Sequence, residues 1–290
     1  MKRLILIPLI LFFALQTKAQ GVIDRCEKQF IKYHNTEREY YLYRPNNIKN
    51  NAPLVLVLHG YGSSATKGKT RFMDLADEYG FVVCYAQGSK DFKGKRFWNV
   101  GYPFHKDCKQ NDVAYLCRLV RHLQKKYHLS RKNTFLTGMS NGGEMCYLMA
   151  MKRPKMFKAI ASIAGLTLSN MDRNYKYPIP FMEVHGTADK TSKWYGDPLN
   201  KGGWGEYQSV PVSISYLIAA NKCKYEVLSD LPIKRHKVIL HTYTGGKKLK
   251  GTGPECEVLL FEVCGGGHSW AEKDMDTCGE VWNFFNRYIE

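Results

Sequence analysis

The stretch Thr134-Phe135-Leu136-Thr137-Gly138-Met139-Ser140-Asn141-Gly142-Gly143 decides how the rest of the chain is interpreted. Its first four residues predict a buried strand, and the residues that follow Ser140 predict a helix that ends before Pro154. Ser140 therefore lies at a strand-to-helix turn, with a glycine two positions away on each side. A turn this tight leaves no room for side chains at those positions and raises the serine hydroxyl above the sheet. The pattern predicts a nucleophilic serine; a serine in an ordinary glycine-rich turn is the alternative.

Apolar runs on both sides of this turn predict alternating strands and helices. Residues 54–58 and 81–85 are predicted strands, separated by a helix from about Phe72 to Tyr79 that Gly80 ends. An amphipathic helix is predicted after Asn111, and further strands at residues 159–164, 181–184, 238–243 and 258–263. The last helix is predicted from Thr277, with Thr277 and Glu280 as a capping box and with Val281, Phe284, Phe285 and Ile289 buried. This order predicts an α/β fold with a mostly parallel central sheet and helices on both faces.

A serine hydroxyl needs a base and an orienting carboxylate before it becomes a good nucleophile. His268 follows three glycines and a predicted strand near the C-terminus, and Asp189 follows the predicted strand that ends at Val184. The order Ser, Asp, His is that of the α/β-hydrolase fold. We therefore predict Ser140, Asp189 and His268 as the catalytic residues, with Asp197 and Asp230 as alternative carboxylates.

An acyl-transfer site also needs backbone N–H groups for the negative oxygen of its intermediate. The amide of Asn141, directly after the serine, is one predicted donor. The second is expected from His59-Gly60-Tyr61-Gly62, where Tyr61 is preferred and Gly60 is the alternative. His59 and His185 are interpreted as structural hydrogen-bonding residues.

Composition sets the wider context. An apolar run from Leu4 to Leu15 behind Lys2 and Arg3 predicts a cleavable signal peptide over residues 1–19, with residues 20–290 as one catalytic domain, secreted or periplasmic and without a membrane anchor. The nine cysteines permit disulfides in an exported chain, although an odd number leaves at least one thiol free. A net charge of +17 favours polyanionic partners. Without a nucleic-acid-binding motif, an anionic polysaccharide or cell envelope is preferred to DNA, and a merely solvated basic surface is the alternative.

Together these segments resemble the secreted feruloyl esterase and polyhydroxybutyrate depolymerase family, the first family of carbohydrate esterases, from about Glu39 to the C-terminus. The resemblance rests on seven ordered motifs: His59-Gly60-Tyr61-Gly62, Phe97-Trp98-Asn99, Asn111-Asp112-Val113, Gly138-Met139-Ser140-Asn141-Gly142-Gly143, His185-Gly186-Thr187-Ala188-Asp189, Val210-Pro211 and Gly265-Gly266-Gly267-His268-Ser269-Trp270. It implies an acyl-enzyme mechanism through Ser140, Asp189 and His268, with no metal and no organic cofactor. It also suggests a disulfide in the later half, for which Cys223 and Cys256 occupy the nearest positions.

Within this family the sequence favours esters of plant cell-wall polysaccharides, because no linker to a polymer-binding module is visible. Feruloyl esters of xylan are the preferred substrate; acetyl xylan and polyhydroxybutyrate are alternatives, and a serine peptidase or a non-catalytic binding protein are alternatives from other classes. Aromatic residues in glycine-containing loops are expected to bind the substrate, although packing of the loops is an equal alternative. These candidates are Trp98, Trp194, Trp204 and Trp270, with Tyr102, Phe104, Tyr195 and Tyr207 nearby.

Overall fold

The structure is a computed structural model that describes residues 21–46, 48–171, 173–249 and 253–290. The predicted signal peptide at residues 1–19 lies outside the described residues. Among the described residues no helix is both long and apolar enough to cross a bilayer.

The described residues form twelve strands and six α-helices. The strands are β1 (Glu27–Tyr33), β2 (Thr36–Tyr43), β3 (Leu54–Leu58), β4 (Val82–Ala86), β5 (Ser89–Lys90), β6 (Arg96–Phe97), β7 (Thr134–Met139), β8 (Ala159–Ile163), β9 (Phe181–Gly186), β10 (Tyr225–Asp230), β11 (Val238–Thr244) and β12 (Val258–Val263). The helices are α1 (Val22–Arg25), α2 (Arg71–Tyr79), α3 (Asp112–Lys126), α4 (Asn141–Lys152), α5 (Val210–Asn221) and α6 (Thr277–Asn286).

Ten of the strands form one sheet in the order β1-β2-β4-β3-β7-β8-β9-β12-β11-β10, while β5 and β6 pair separately. The six central strands run parallel to one another, in the spatial order β4-β3-β7-β8-β9-β12. Antiparallel strands extend the sheet at both ends, β2 and β1 on one side and β11 and β10 on the other. The predicted mostly parallel sheet is therefore confirmed.

Strand β3 lies at the centre of the sheet and is apolar at every position. Leu54, Leu56 and Leu58 pack into the core on one face of the sheet, which α3, α4 and α5 cover. Val55 and Val57 pack into the core on the other face, beneath α2 and α6. Alternate residues of a strand point to opposite faces, so the apolar residues of β3 fill the core on both sides of the sheet.

Several elements differ from the sequence-based prediction. The N-terminal hairpin, the strand β10 and the full length of α5 were not predicted; β10 is exposed at all six positions and shows no apolar periodicity. The capping box at Thr277 is wrong, because Asp276 caps α6 by accepting a hydrogen bond from Gly279 N at 3.1 Å. Ile289 lies beyond the helix and is 36% exposed, whereas Trp282 and Tyr288 are buried in its place.

All nine cysteines lie in the described residues, and all are free. The Cys223–Cys256 disulfide suggested by the family resemblance is therefore not formed in this structure. Instead, the Cys223 thiol points to the carbonyl oxygen of Cys256, with Sγ 3.6 Å from that oxygen.

Candidate active site

Ser140 occupies the sharp turn that its sequence context predicts. It joins the end of β7 to the start of α4 and has φ 57° and ψ −122°, in a region that residues other than glycine rarely adopt. Hydrogen bonds hold this backbone on both sides, from Ser140 N to Ile163 O at 2.8 Å and from Glu144 N to Ser140 O at 2.8 Å. The surrounding backbone therefore maintains a conformation that the serine would not adopt alone.

The glycines around Ser140 are required by close contact. A Cβ at Gly138 would lie 2.7 Å from the carbonyl of Gly142, and a Cβ at Gly142 would lie 2.6 Å from Leu58 O. No side chain fits at either position without moving backbone atoms. The predicted reason for glycine two residues before and two residues after the serine is confirmed.

His268 and Asp189 meet at the same edge of the sheet. Asp189 follows β9 and His268 follows β12, and these strands are parallel neighbours, so the loops after them are adjacent. His268 Nδ1 lies 2.7 Å from Asp189 Oδ2, and the Asp189 carboxylate is fully buried whereas the His268 side chain is 22% exposed. The amides of Thr191 and Ser192 donate to Asp189 Oδ1 at 2.7 and 2.9 Å, which fixes the carboxylate.

Neither alternative carboxylate contacts His268. Asp197 is bound within its own loop by Lys193 Nζ at 2.9 Å and by the amides of Lys201 and Gly202. Asp230 lies on the edge strand β10 and pairs with Lys237 at 2.9 Å. The structure thus brings Asp189, rather than the alternatives, to the histidine.

Gly266, one of the three glycines before His268, allows close contact with the Asp189 loop. A Cβ at Gly186 would lie 2.2 Å from Gly266 O, so the two loops touch backbone to backbone. Ala188 N donates to Gly266 O at 2.9 Å and Gly265 N to Thr187 Oγ1 at 2.7 Å, which locks the loops together. By contrast, a Cβ at Gly267 would meet no atom within 4 Å.

Ser140 and His268 line one cavity of about 300 Å³ together with Gly60, Tyr61 and Trp270. The loop at Gly60 lies against the serine, since a Cβ on Gly60 would be 3.3 Å from Ser140 Cβ. Gly60 O lies 2.8 Å from His59 Nδ1 and accepts from Ser63 N at 3.1 Å. Because the peptide is planar and trans, the N–H of Tyr61 points away from that carbonyl. The amide of Asn141 is the first of α4 and has no acceptor within the helix.

His59 and His185 are buried hydrogen-bonding residues, as predicted. His59 Nε2 accepts from Gly88 N at 3.0 Å, and burial lowers the pKa of His59 to about 4, so the ring is neutral near pH 7. His185 lies between the Glu183 carboxylate, 2.9 Å from Nδ1, and Ser192 O, 2.7 Å from Nε2. His185 thereby ties the strand β9 to the loop that carries Asp189.

The four candidate tryptophans differ in their placement. Trp270 lines the cavity with Ser140 and His268, and Trp204 is half-buried against Tyr61, with ring centroids 5.6 Å apart. Trp98 and Trp194 are buried, so for these two the predicted substrate contact is wrong and the alternative, packing of the loops, holds. Trp98 is completely buried and donates its indole N–H to His59 O at 2.9 Å, and Trp194 is 7% exposed and packs beside His185.

Sequence reasoning missed Glu144, which lies in the first turn of α4 and is 2% exposed. Burial raises the pKa of its carboxyl group to about 7, and the neighbouring side chains of Tyr102 and Asn141 only partly oppose this rise. The amide of Asn141 also binds the backbone of Trp98, with Oδ1 2.7 Å from Trp98 N and Nδ2 3.0 Å from Trp98 O. A glutamate within an otherwise apolar helix pattern was the only available sign of this network.

Comparisons with known proteins show which family and which folds the chain resembles. The model of the esterase PHB depolymerase family matches residues 38–176, which confirms the predicted resemblance. That match includes the Ser140 turn and ends before Asp189 and His268.

Two curated relatives extend the comparison. The chain is 25% identical over 255 residues to a bifunctional acetylxylan esterase/xylanase of Neocallimastix patriciarum, covering 87% of this chain and 33% of that protein. It is 30% identical over 158 residues to a probable feruloyl esterase C of Aspergillus clavatus, covering 54% of this chain and 56% of that protein. The chain thus spans between a third and somewhat more than half of the length of these relatives.

Solved structures establish the fold. An acetyl xylan esterase from Aspergillus awamori superposes with a TM-score of 0.62 at 16% identity, covering 90% of this chain and 99% of that chain. A ferulic acid esterase from Anaeromyces mucronatus superposes with a TM-score of 0.55 at 16% identity, covering 93% and 92%. The predicted α/β-hydrolase fold is confirmed.

Replacing Gly186 with alanine is expected to separate the Asp189 and His268 loops, since the new methyl group would overlap Gly266 O. We expect the variant to lose about 1–3 kcal/mol of unfolding free energy, measured by chemical denaturation. Gly267→Ala, in the same glycine run but facing open space, is the matched control and should remain close to wild type. Equal losses in the two variants would contradict this explanation of the glycine run.

The buried Glu144 predicts a pH-dependent stability. Because its folded pKa of about 7 exceeds its ordinary value of 4.5, the unfolded chain releases this proton first, and the free energy of unfolding falls as pH rises from about 4.5 to about 7. Glu144→Gln should remove a contribution of about 3 kcal/mol to this fall, measured by denaturation at pH 4 and pH 8. Glu206→Gln, at an exposed position, is the control. An unchanged pH dependence in Glu144→Gln would show that the carboxyl group does not titrate in this window.

Proposed function

We propose that the protein is a serine carboxylic ester hydrolase that acts on plant cell-wall polysaccharide esters through an acyl-enzyme intermediate. Feruloyl esters of xylan are the preferred substrate, and acetyl xylan is the second candidate. The observation that carries the proposal is the 2.7 Å contact between His268 and the buried Asp189, beside the cavity that Ser140 and His268 share.

The contact with Asp189 determines which nitrogen of His268 acts as the base. A carboxylate can only accept, so Nδ1 carries the hydrogen and Nε2 keeps its lone pair. Nε2 removes the proton from Ser140 Oγ as this oxygen attacks the ester carbonyl carbon. The imidazolium then returns the proton to the sugar oxygen as the C–O bond breaks, leaving the acyl group on Ser140. Water attacks that acyl-enzyme by the same exchange, which releases the acid and restores the serine.

Two backbone donors are assigned to the negative oxygen of the tetrahedral intermediate. The Asn141 N–H lies at the N-terminus of α4, where the helix dipole also favours negative charge. The Tyr61 N–H is oriented by the two hydrogen bonds to Gly60 O, one of which comes from the neutral His59. We therefore assign Tyr61 and Asn141 as the oxyanion hole.

The Tyr61 side chain provides one wall of the acyl pocket. Its hydroxyl donates to Asp91 at 2.7 Å, and its ring packs against Tyr102, Phe104 and Trp204. Trp270 lies across the cavity, which at about 300 Å³ has the size of a small-molecule pocket. Aromatic walls suit a planar phenolic acyl group, and this supports feruloyl esters as the preferred substrate.

The names of the similar proteins support both substrate classes. A bifunctional acetylxylan esterase/xylanase and an acetyl xylan esterase favour acetyl groups on xylan, whereas a probable feruloyl esterase C and a ferulic acid esterase favour phenolic esters. A serine peptidase and a non-catalytic binding protein fit these names less well, and polyhydroxybutyrate depolymerase has only the family model in its favour. We also propose export by residues 1–19 and one catalytic domain over residues 20–290.

The proposed mechanism predicts a graded loss of activity. Ser140→Ala and His268→Ala should each lower kcat by about 10⁶-fold, and Asp189→Asn by about 10⁴-fold, because the tautomer is then disfavoured while the nucleophile remains. Initial rates on a nitrophenyl ester measure these losses, with circular dichroism as the check on folding. A greater loss in Asp197→Asn or Asp230→Asn than in Asp189→Asn would show that Asp189 is not the catalytic carboxylate.

The proposed substrate class predicts an order of specificity. We expect methyl ferulate to have the highest kcat/KM, followed by acetylated xylan, with polyhydroxybutyrate and a peptide substrate not cleaved. A serine-directed phosphonate should abolish all ester hydrolysis and label Ser140. If acetylated xylan is the better substrate, the second candidate replaces the first; peptide hydrolysis that the phosphonate blocks would point to a serine peptidase.

A further inference from the structure

A basic groove lies at the edge of the sheet opposite Ser140. The residues before β7, β8, β9 and β12 line it, whereas Ser140, Asp189 and His268 follow β7, β9 and β12. These strands are five or six residues long, so the groove and the catalytic cavity lie about 20 Å apart. The groove is therefore a separate feature of the surface.

Positive charge dominates this groove. Its cavity of about 530 Å³ shares the lining residues Arg131, Lys132 and Glu290 with a second cavity of about 600 Å³. Among the described residues that line either cavity, Glu290 is the sole acidic one, and it pairs with Lys132 and Lys158. The lining cations are Lys125, Arg131, Lys132, Lys155, Lys158 and Lys248.

The groove also presents an aromatic ring. Tyr177 is 46% exposed, and Lys155 Nζ lies 4.1 Å from the centre of its ring. Pro154, Pro178 and Ile179 lie beside it in the groove. The exposed Tyr177 ring, with the Lys155 ammonium over one face, matches a sugar ring that carries a carboxylate, because an aromatic ring stacks on a sugar and the ammonium neutralises the charge.

Helix ends account for only part of this charge. Lys125 and Lys126 lie in the last turn of α3, where cations are favoured by the helix dipole. Lys132 and Lys248 lie outside the helices, in segments before the strands β7 and β12. Their position in one groove with Tyr177 therefore needs a different reason.

We infer that this groove, defined by Arg131, Lys132, Lys155, Lys248 and Tyr177, binds a carboxylate-bearing polysaccharide and holds the protein on its polymer. The choice of a polysaccharide over another polyanion rests on the proposed function. Binding itself requires no hydrolysis, so the two proposals can fail separately.

Affinity electrophoresis in gels that contain glucuronoxylan tests the inference on the whole protein. We expect retardation that weakens with salt and that is absent in gels with a neutral arabinoxylan. Lys132→Gln/Lys155→Gln should weaken binding about fivefold, as expected for two exposed charge contacts. Lys90→Gln/Lys109→Gln removes the same charge from exposed positions in another cavity and should bind like wild type.

Tyr177→Ala separates a sugar site from a simple patch of charge. We expect it to weaken binding to glucuronoxylan without any change in net charge. Unchanged binding in Tyr177→Ala would overturn the inference, and so would equal losses in the two double variants. In gels that contain duplex DNA in place of glucuronoxylan, retardation as strong as that by glucuronoxylan and unchanged in Tyr177→Ala would also overturn it. Nitrophenyl ester hydrolysis should be unchanged in all these variants, whereas an active Ser140→Ala would refute the proposed function and leave the binding result intact.

Discussion

Close contact between backbone segments, made possible by glycines at the carboxyl edge of the sheet, is the constraint on which the rest of the site depends. Gly138 and Gly142 allow the Ser140 turn to lie against the end of β3, and Gly186 allows the loop after β9 to lie against Gly266. Each contact involves carbonyl atoms, which cannot rotate aside as a side chain can. The nucleophile therefore keeps its position against β3, and the carboxylate keeps its position beside the base, because each pair of segments is packed at backbone distance.

Buried polar groups then orient what the backbone has brought together. Asp189 is held by two amides and His268, and His185 bridges the strand and loop around it. On the other side of Ser140, Asn141 joins the start of α4 to Trp98, and the Trp98 indole joins that segment to His59 O. Such satisfied buried networks are costly to disturb, so they specify one arrangement of the two proposed oxyanion donors.

The parts of this arrangement that the sequence predicts are those with a local signature. Continuous apolar runs marked β3 and β12 to the residue, and Gly80 marked the end of α2, where it adopts φ 74°. The role of Trp98 could not be predicted, because an aromatic residue in a glycine-containing loop has the same local pattern whether it faces solvent or the core. Glu144 and β10 were missed for a related reason: a buried glutamate and an exposed edge strand both depend on tertiary contacts that periodicity does not report.

The parallel sheet also separates charge between its two edges. A helix that follows a parallel strand begins at the carboxyl edge and ends at the amino edge, so α4 directs its positive end toward Ser140 and its negative end toward the segment before β8. Developing negative charge is thus favoured at the proposed catalytic edge, and cations are favoured at the other. Asp189 and His268 pair within a few ångströms of each other, and the Asp189 carboxylate is held by this histidine and by two backbone amides. The direction of the strands therefore separates the proposed ester chemistry from the proposed polyanion binding, at opposite ends of β7, β9 and β12.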